Sequence, residues 1–128
     1  MATTANYAST PRCSFGQLTT ANAALDGSGT LVAVFTAGTL GSRVDRIDVK
    51  ALVTTTAGMI RLFITRSGTT RLVREVPVAA ATKSASSPAY SAMVDLAHSP
   101  LILEGGDILK ASTEKSETFN IFATGGDF

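Results

Sequence analysis

The sequence predicts an all-β protein, a two-sheet antiparallel sandwich of about eight strands. The chain is rich in threonine, serine and valine, and β-branched side chains fit a pleated sheet better than a helix. Groups with turn chemistry recur at short intervals, among them Asp26-Gly27-Ser28-Gly29, Ser67-Gly68 and Gly125-Gly126-Asp127. The segments between turns have about 6–12 residues, which is typical of a sandwich or barrel. Eight antiparallel strands of this length favour a jelly roll.

The segments between the turns have the pattern of strands. Residues 46–53 place apolar side chains at every second position, the period of a half-buried strand. Residues 58–66 and 70–78 flank Ser67-Gly68 and are predicted to form a hairpin. The remaining strands are predicted at residues 14–19, 30–36, 90–96, 107–112 and 118–123.

Composition excludes several classes of function. Hydrophobic residues make up 45% of the chain and charged residues 16%, which argues against intrinsic disorder. The net charge of +1 gives no surplus of cations for direct nucleic-acid binding. No stretch approaches the ~18 consecutive apolar residues of a membrane span, so no membrane partner is predicted. The N-terminal residues also lack the pattern of a secretion signal.

The length of 128 residues suits a single domain, predicted to cover residues 12–128. Residues 1–11 are small and polar and end at Pro11. They are predicted to form an N-terminal arm that is either frayed or ordered by a neighbouring chain. At the other end, Phe128 follows a diglycine and is predicted to insert into a pocket of its own chain or the next. Tyr7 and Phe128 are therefore candidate interface residues.

The residue types that carry catalysis or bind metals are scarce. His98 is the only histidine, and Cys13 is the only cysteine, which excludes an internal disulfide and a multi-cysteine zinc site. Neither residue has the local context of a nucleophile or a general base. The run Asp26-Gly27-Ser28-Gly29-Thr30 lacks the repeated ligands of a calcium loop and is predicted to be a tight turn. We therefore predict no catalytic site, no cofactor and no metal.

The predicted hairpin concentrates positive charge. Arg61, Arg66, Arg71 and Arg74 lie close together, with Glu75 as the local acid. A two-residue turn at Ser67-Gly68 would place Arg61 directly across from Arg74, and like charges in such a pair are unfavourable. One interpretation is that aspartates of neighbouring strands, Asp45, Asp48 or Asp95, neutralise the pair. The other is that Arg61, Arg71 and Arg74 contact an acidic surface of another protein.

Some predicted strands are apolar on both faces. In residues 58–66, Ile60, Leu62 and Ile64 share one face, and Met59 and Phe63 share the other. A small sandwich buries only one face of each sheet, so the second face needs a cover. Loops of the same chain or a subunit interface could supply it.

The order of these pieces resembles that of small structural proteins of tailed bacteriophages. The resemblance rests on strand and turn patterns that cover most of the chain and contain no active site. They are DGSGT at 26–30, GSRVDRI at 41–47, TTTAGMIRLF at 54–63 and ETFNIFATGGDF at 117–128.

Within that group, the size and predicted sandwich are similar to capsid cement, or decoration, proteins of jelly-roll type. The resemblance implies a non-enzymatic protein on the capsid surface of a virion, assembled in the host cytoplasm. Such a protein would form a dimer or trimer and bridge major capsid proteins. Two alternatives stay open: another virion component, such as a head fibre, neck or tail part, and a ligand- or carbohydrate-binding sandwich.

Overall fold

The structure, a computed structural model, describes residues 9–128. These residues form no helix, and hence none that could span a membrane. They form nine strands: β1 Thr10–Leu18, β2 Val32–Thr36, β3 Ser42–Ala51, β4 Gly58–Arg66, β5 Thr69–Val78, β6 Ser91–Asp95, β7 Leu101–Leu103, β8 Ile108–Thr113 and β9 Phe119–Asp127.

The strands form two antiparallel sheets. Sheet A has the order β1-β9-β3-β6, with β7 also paired to β3, and sheet B has the order β2-β8-β4-β5. Because β6 and β7 pair with the same side of β3, they share one strand position. The chain then crosses between sheets in the manner of an eight-stranded jelly roll. The predicted fold class is confirmed, and β7 is a strand that the sequence analysis did not predict.

The core lies between the sheets and is built from alternate residues of both. On β3, Val44, Ile47, Val49 and Ala51 are buried, and the residues between them point outward. Facing strands supply aromatic and branched side chains that close the layer, as expected for packed sheets about 10 Å apart. The largest fully buried members of this cluster are Phe35, Phe119, Leu18, Ile60, Leu62, Leu103, Leu109 and Ile121.

The C-terminal diglycine belongs to a strand, so the prediction of a turn at 125–127 is wrong. Gly125 and Gly126 pair with β1 on one side and with β3 on the other. The register of β3 shifts between Val44 and Arg46 and brings the carbonyl of Arg43 against β9. A Cβ at position 125 would lie 1.8 Å from that carbonyl oxygen. The glycine is needed for this close approach.

The first strand begins earlier than the sequence suggested. Thr10 and Pro11 already pair with the end of β9, so the last two residues of the predicted arm belong to sheet A. Ser9 adds a backbone hydrogen bond of 2.8 Å to Asp127. The rest of the arm, including Tyr7, lies outside the described residues.

Replacing Gly125 with alanine should destabilise the protein by about 3 kcal/mol or more, because the new methyl group meets fixed backbone. Gly58→Ala is the matched control, since a Cβ there meets chiefly the flexible side chain of Lys115, at 3.1 Å. It should cost less than about 1 kcal/mol. Urea unfolding of both variants measures the difference, and equal stabilities would contradict the packing at Gly125.

Candidate functional site

The hairpin of β4 and β5 has the turn that the sequence predicts. Ser67 and Gly68 form the two-residue connection, and both have positive φ, 51° and 80°. Two positive φ angles match the type I′ turn, whose twist suits a hairpin. Beyond the turn, the hydroxyls of Thr65 and Thr70 are 2.7 Å apart and hydrogen-bonded.

The predicted pairing of Arg61 with Arg74 is wrong. A β-bulge shifts the register between Leu62 and Phe63, so that Arg61 lies opposite Glu75 and Arg74 lies opposite Leu62. Arg61 Nε donates to Glu75 Oε2 at 3.0 Å. A bulge places two residues of one strand against one of the other, and spacing counted from the turn cannot reveal it. The like-charge conflict therefore does not arise.

The three predicted interface arginines separate into two kinds. The Arg61 side chain is only 11% exposed and is paired with Glu75, so it is unsuited to contact a partner. Arg71 and Arg74 are exposed. Neither has an ion pair or hydrogen bond from its side chain to any described residue. Of the three predicted interface arginines, the two available to another molecule are therefore both on β5.

Arg71 and Arg74 point toward the inner side of sheet B. Their cross-strand partners are Ile64 and Leu62, and directly opposed residues share a sheet face. Elsewhere this face forms the core, but on β5 only Val76 and Val78 are buried.

The first half of β5 is exposed, whereas Val76 and Val78 in its second half are buried. At the corresponding edge, sheet A has the five residues of β6 and the three of β7, against ten in β5. Tyr90, just before β6, donates its hydroxyl hydrogen to the Pro77 carbonyl at 2.5 Å. This contact shows that sheet A covers the second half of β5. The first half of the strand thus borders an open groove of about 470 Å³, lined by Ile64, Arg66, Ser67, Thr69, Arg71, Leu72 and Val73.

Arg66, at the end of this groove, is neutralised within the chain. Its guanidinium donates to both carboxylate oxygens of Asp107, at 2.6 to 3.0 Å, and also pairs with Glu104. The side chain of Asp107 is 2% exposed, and these hydrogen bonds hold its pKa below the ordinary value of 3.8. The pair fixes the β4–β5 hairpin to the turn between β7 and β8. No local sequence pattern reveals this pair, because its two residues are 41 positions apart.

A second ion pair, partly buried, lies at the same end of the sandwich. Arg12 Nη1 donates to Asp127 Oδ1 at 2.8 Å, and the hydroxyl of Ser42 donates to the same oxygen at 2.5 Å. The hydrogen bond from Ser42, followed by that from Arg12, lowers the pKa of Asp127. The guanidinium also lies 4.3 Å from the centre of the Phe35 ring, a cation–π distance. This cluster attaches the edge strand β1 to the core.

The outer face of sheet A carries a row of exposed apolar side chains. Phe15, Phe122, Asp48 and Met93 are cross-strand neighbours on four adjacent strands. Phe15 is 70% exposed and Met93 55%, and the two phenyl rings are 5.6 Å apart. Asp48 in this row is paired with Arg46 at 2.9 Å, so the face has little net charge. An exposed aromatic row of this kind is typical of a contact surface.

The remaining candidates occupy ordinary structural positions. Phe128 is 42% exposed, and its backbone N–H donates to the Gly41 carbonyl at 3.1 Å. Cys13 and His98 are exposed. Asp26 accepts hydrogen bonds from the backbone and hydroxyl of Ser28, which makes the tight turn that the sequence predicts and lowers the Asp26 pKa. Within residues 9–128, no three acidic, histidine or cysteine side chains form a group suited to a metal ion.

Comparison with known proteins adds no assignment. No protein-family model matches the chain, and no curated protein matches it significantly.

Asp107→Asn should lower the free energy of unfolding by about 2 kcal/mol at about pH 7, since it leaves Arg66 without its buried partner. Because folding depresses the Asp107 pKa, the wild-type ion pair stabilises above pH 3.8 and is lost as the pH falls through the folded value. The difference between variant and wild type should therefore shrink toward about pH 2.

Urea unfolding across this pH range measures the effect. Asp48→Asn is the control for loss of one carboxylate, because its ion pair with Arg46 is largely exposed and contributes less than about 1 kcal/mol. A penalty at Asp107 that stays constant down to about pH 2 would show that the ion pair is not its source.

Proposed function

We propose that this protein is a non-enzymatic structural component of a tailed-bacteriophage virion, a cement or decoration protein on the capsid surface. The observation that carries the proposal is a pair of unlike contact surfaces on one small jelly roll. The first is the neutral aromatic row around Phe15 and Phe122, on the outer face of sheet A. The second is the basic groove beside β5. A protein that bridges others needs two such surfaces, whereas a single-site binding module needs one.

The two surfaces suit different partners. The aromatic row has internally paired charges and fits a second copy of the chain, giving a dimer or trimer. The groove has unpaired cations and fits the major capsid protein. Each contact is small, but linking several raises the overall avidity by about 10²–10⁴-fold. Repetition over a capsid lattice then resists the outward pressure of a filled head.

The sheet edges support association through faces. β2 has only five residues and contains a bulge, while β5 contains a bulge and Pro77. The edge strand β1 directs the charged side chain of Arg12 inward. Bulges, prolines, short strands and inward charges are known obstacles to edge-to-edge pairing. Contacts through the two faces therefore remain as the route to ordered assembly.

The groove also favours a second candidate, a ligand-binding sandwich. Its volume of about 470 Å³ lies in the range of small-molecule sites. Its lining contains aliphatic side chains and arginines and no aromatic ring, which suits an amphipathic anion better than a carbohydrate. Another virion component, such as a head fibre, neck or tail part, would use the same two surfaces at lower copy number.

Quantitative mass spectrometry of density-purified particles tests the proposal. We expect a ratio of this chain to the major capsid protein near one, or a simple fraction of it. A handful of copies per particle would indicate a neck, tail or fibre part instead. Complete absence would reject the virion role and favour the ligand-binding module.

Phe15→Ser should weaken self-association by about tenfold, because it removes an exposed aromatic anchor from the proposed self-contact. Leu25→Ser, on the loop between β1 and β2, removes a side chain that is 54% exposed outside that row and should change nothing. Sedimentation equilibrium measures both. Unchanged association of the Phe15 variant, or equal weakening by the control, would place the self-contact elsewhere.

A further inference from the structure

We infer that the groove beside β5 binds an acidic segment of another protein, one that inserts an apolar side chain between flanking carboxylates. This deepens the proposed function by naming the chemistry of the partner segment. It rests on that proposal only in taking the partner to be a protein.

The positive charge beside the groove indicates that the partner segment is acidic. Arg71 borders it and Arg74 follows on the same strand, both exposed and without a carboxylate among the described residues. Arg66, by contrast, is satisfied by Asp107 and Glu104. Two unpaired guanidiniums on one strand can each bind a carboxylate with two parallel hydrogen bonds.

The apolar floor of the groove indicates that the partner segment also inserts an apolar side chain. Ile64 is half-buried and Val73 is 42% exposed, and Leu72 lies between the arginines in sequence. Ile64 already packs against the core cluster, so the floor continues the hydrophobic layer of the sandwich. An apolar side chain placed there would occupy the position that sheet A leaves open. Its burial would extend the core without displacing any residue of this chain.

A second copy of the chain is a poor source of the carboxylates. Except for Glu114, every aspartate and glutamate side chain accepts a hydrogen bond or an ion pair within its own chain. Recruiting one of them would draw on a carboxylate that already has a partner, and Glu114 is a single carboxylate for two arginines. A different protein is therefore the better source of the carboxylates.

A nucleic acid fits the groove less well. Stretches of bases bind to aromatic platforms combined with a positively charged track. The groove offers an aliphatic floor and the unpaired Arg71, with Arg74 farther along the same strand, and none of its lining residues is aromatic. A carboxylate-bearing protein segment matches both of its features.

Fluorescence anisotropy with synthetic peptides tests this inference on the full chain. The probes are labelled peptides of about eight residues, the length of an ordinary strand. The first alternates leucine with glutamate, and two matched probes replace glutamate by serine or by lysine. We expect the glutamate peptide to bind at least about tenfold more tightly than the serine peptide, and less tightly as salt is raised. The lysine peptide should not bind.

Variants of the groove identify the site. Arg71→Gln combined with Arg74→Gln should weaken the glutamate peptide about tenfold, and Val73→Ser should weaken all binding peptides. The charge control combines Lys83→Gln with Lys115→Gln, both exposed and outside the groove. The apolar control is Val53→Ser, which is 39% exposed and lies outside both the groove and the aromatic row of sheet A. Both controls should bind as wild type does, and circular dichroism confirms that each variant is folded.

Four results would overturn the inference. The first two are equal binding of the glutamate and serine peptides, and equal losses of binding in the groove and charge-control variants. The third is tighter binding of a labelled oligonucleotide than of the glutamate peptide. The fourth is loss of self-association when Arg71 and Arg74 are changed. Peptide binding at the groove without incorporation into particles would uphold the inference and reject the virion role. Incorporation of the protein into particles, without selectivity for the glutamate peptide, would uphold the virion role and reject the inference.

Discussion

Burial of apolar residues between two sheets of unequal extent is the constraint on which the structure depends. In β3 and β9 of sheet A and in β8 of sheet B, inward-facing residues are buried and the apolar layer is continuous. At the β5 edge, only Val76 and Val78 of the ten residues of that strand are buried. The core therefore ends partway along β5, and the remaining apolar surface and arginines border solvent. The groove lies where this burial ends.

Two partly buried ion pairs stabilise the end of the sandwich near which the groove lies. Arg66 with Asp107 attaches the β4–β5 hairpin to a turn, and Arg12 with Asp127 attaches β1 to β9. A buried carboxylate is costly unless it is paired and hydrogen-bonded, and both aspartates accept several hydrogen bonds. The hairpin that forms one side of the groove is thereby held in place. A contact surface on a fixed support loses less entropy on binding than one on a free loop.

The surfaces that remain exposed differ in charge and position. The outer face of sheet A combines phenyl rings with charges that are already paired, whereas β5 offers cations that are not. Surfaces of this kind favour different partners, because one depends on apolar burial and the other on charge complementarity. Bulges and proline at the strand edges discourage a third mode, pairing of backbones between chains.

The sequence by itself determined the all-β class, most strand positions and the turn at Ser67-Gly68, because period-two patterning and turn chemistry are local properties. Only the tertiary structure decided that Arg61 faces Glu75, because a bulge between this pair and the turn resets the register. It also decided that Gly125 lies in a strand, since the need for glycine comes from the Arg43 carbonyl of another strand. The open groove likewise depends on how far one sheet covers the other. Such long-range contacts leave no local pattern in the sequence. They decide which arginines are neutralised within the fold and which, on β5, stay exposed and unpaired.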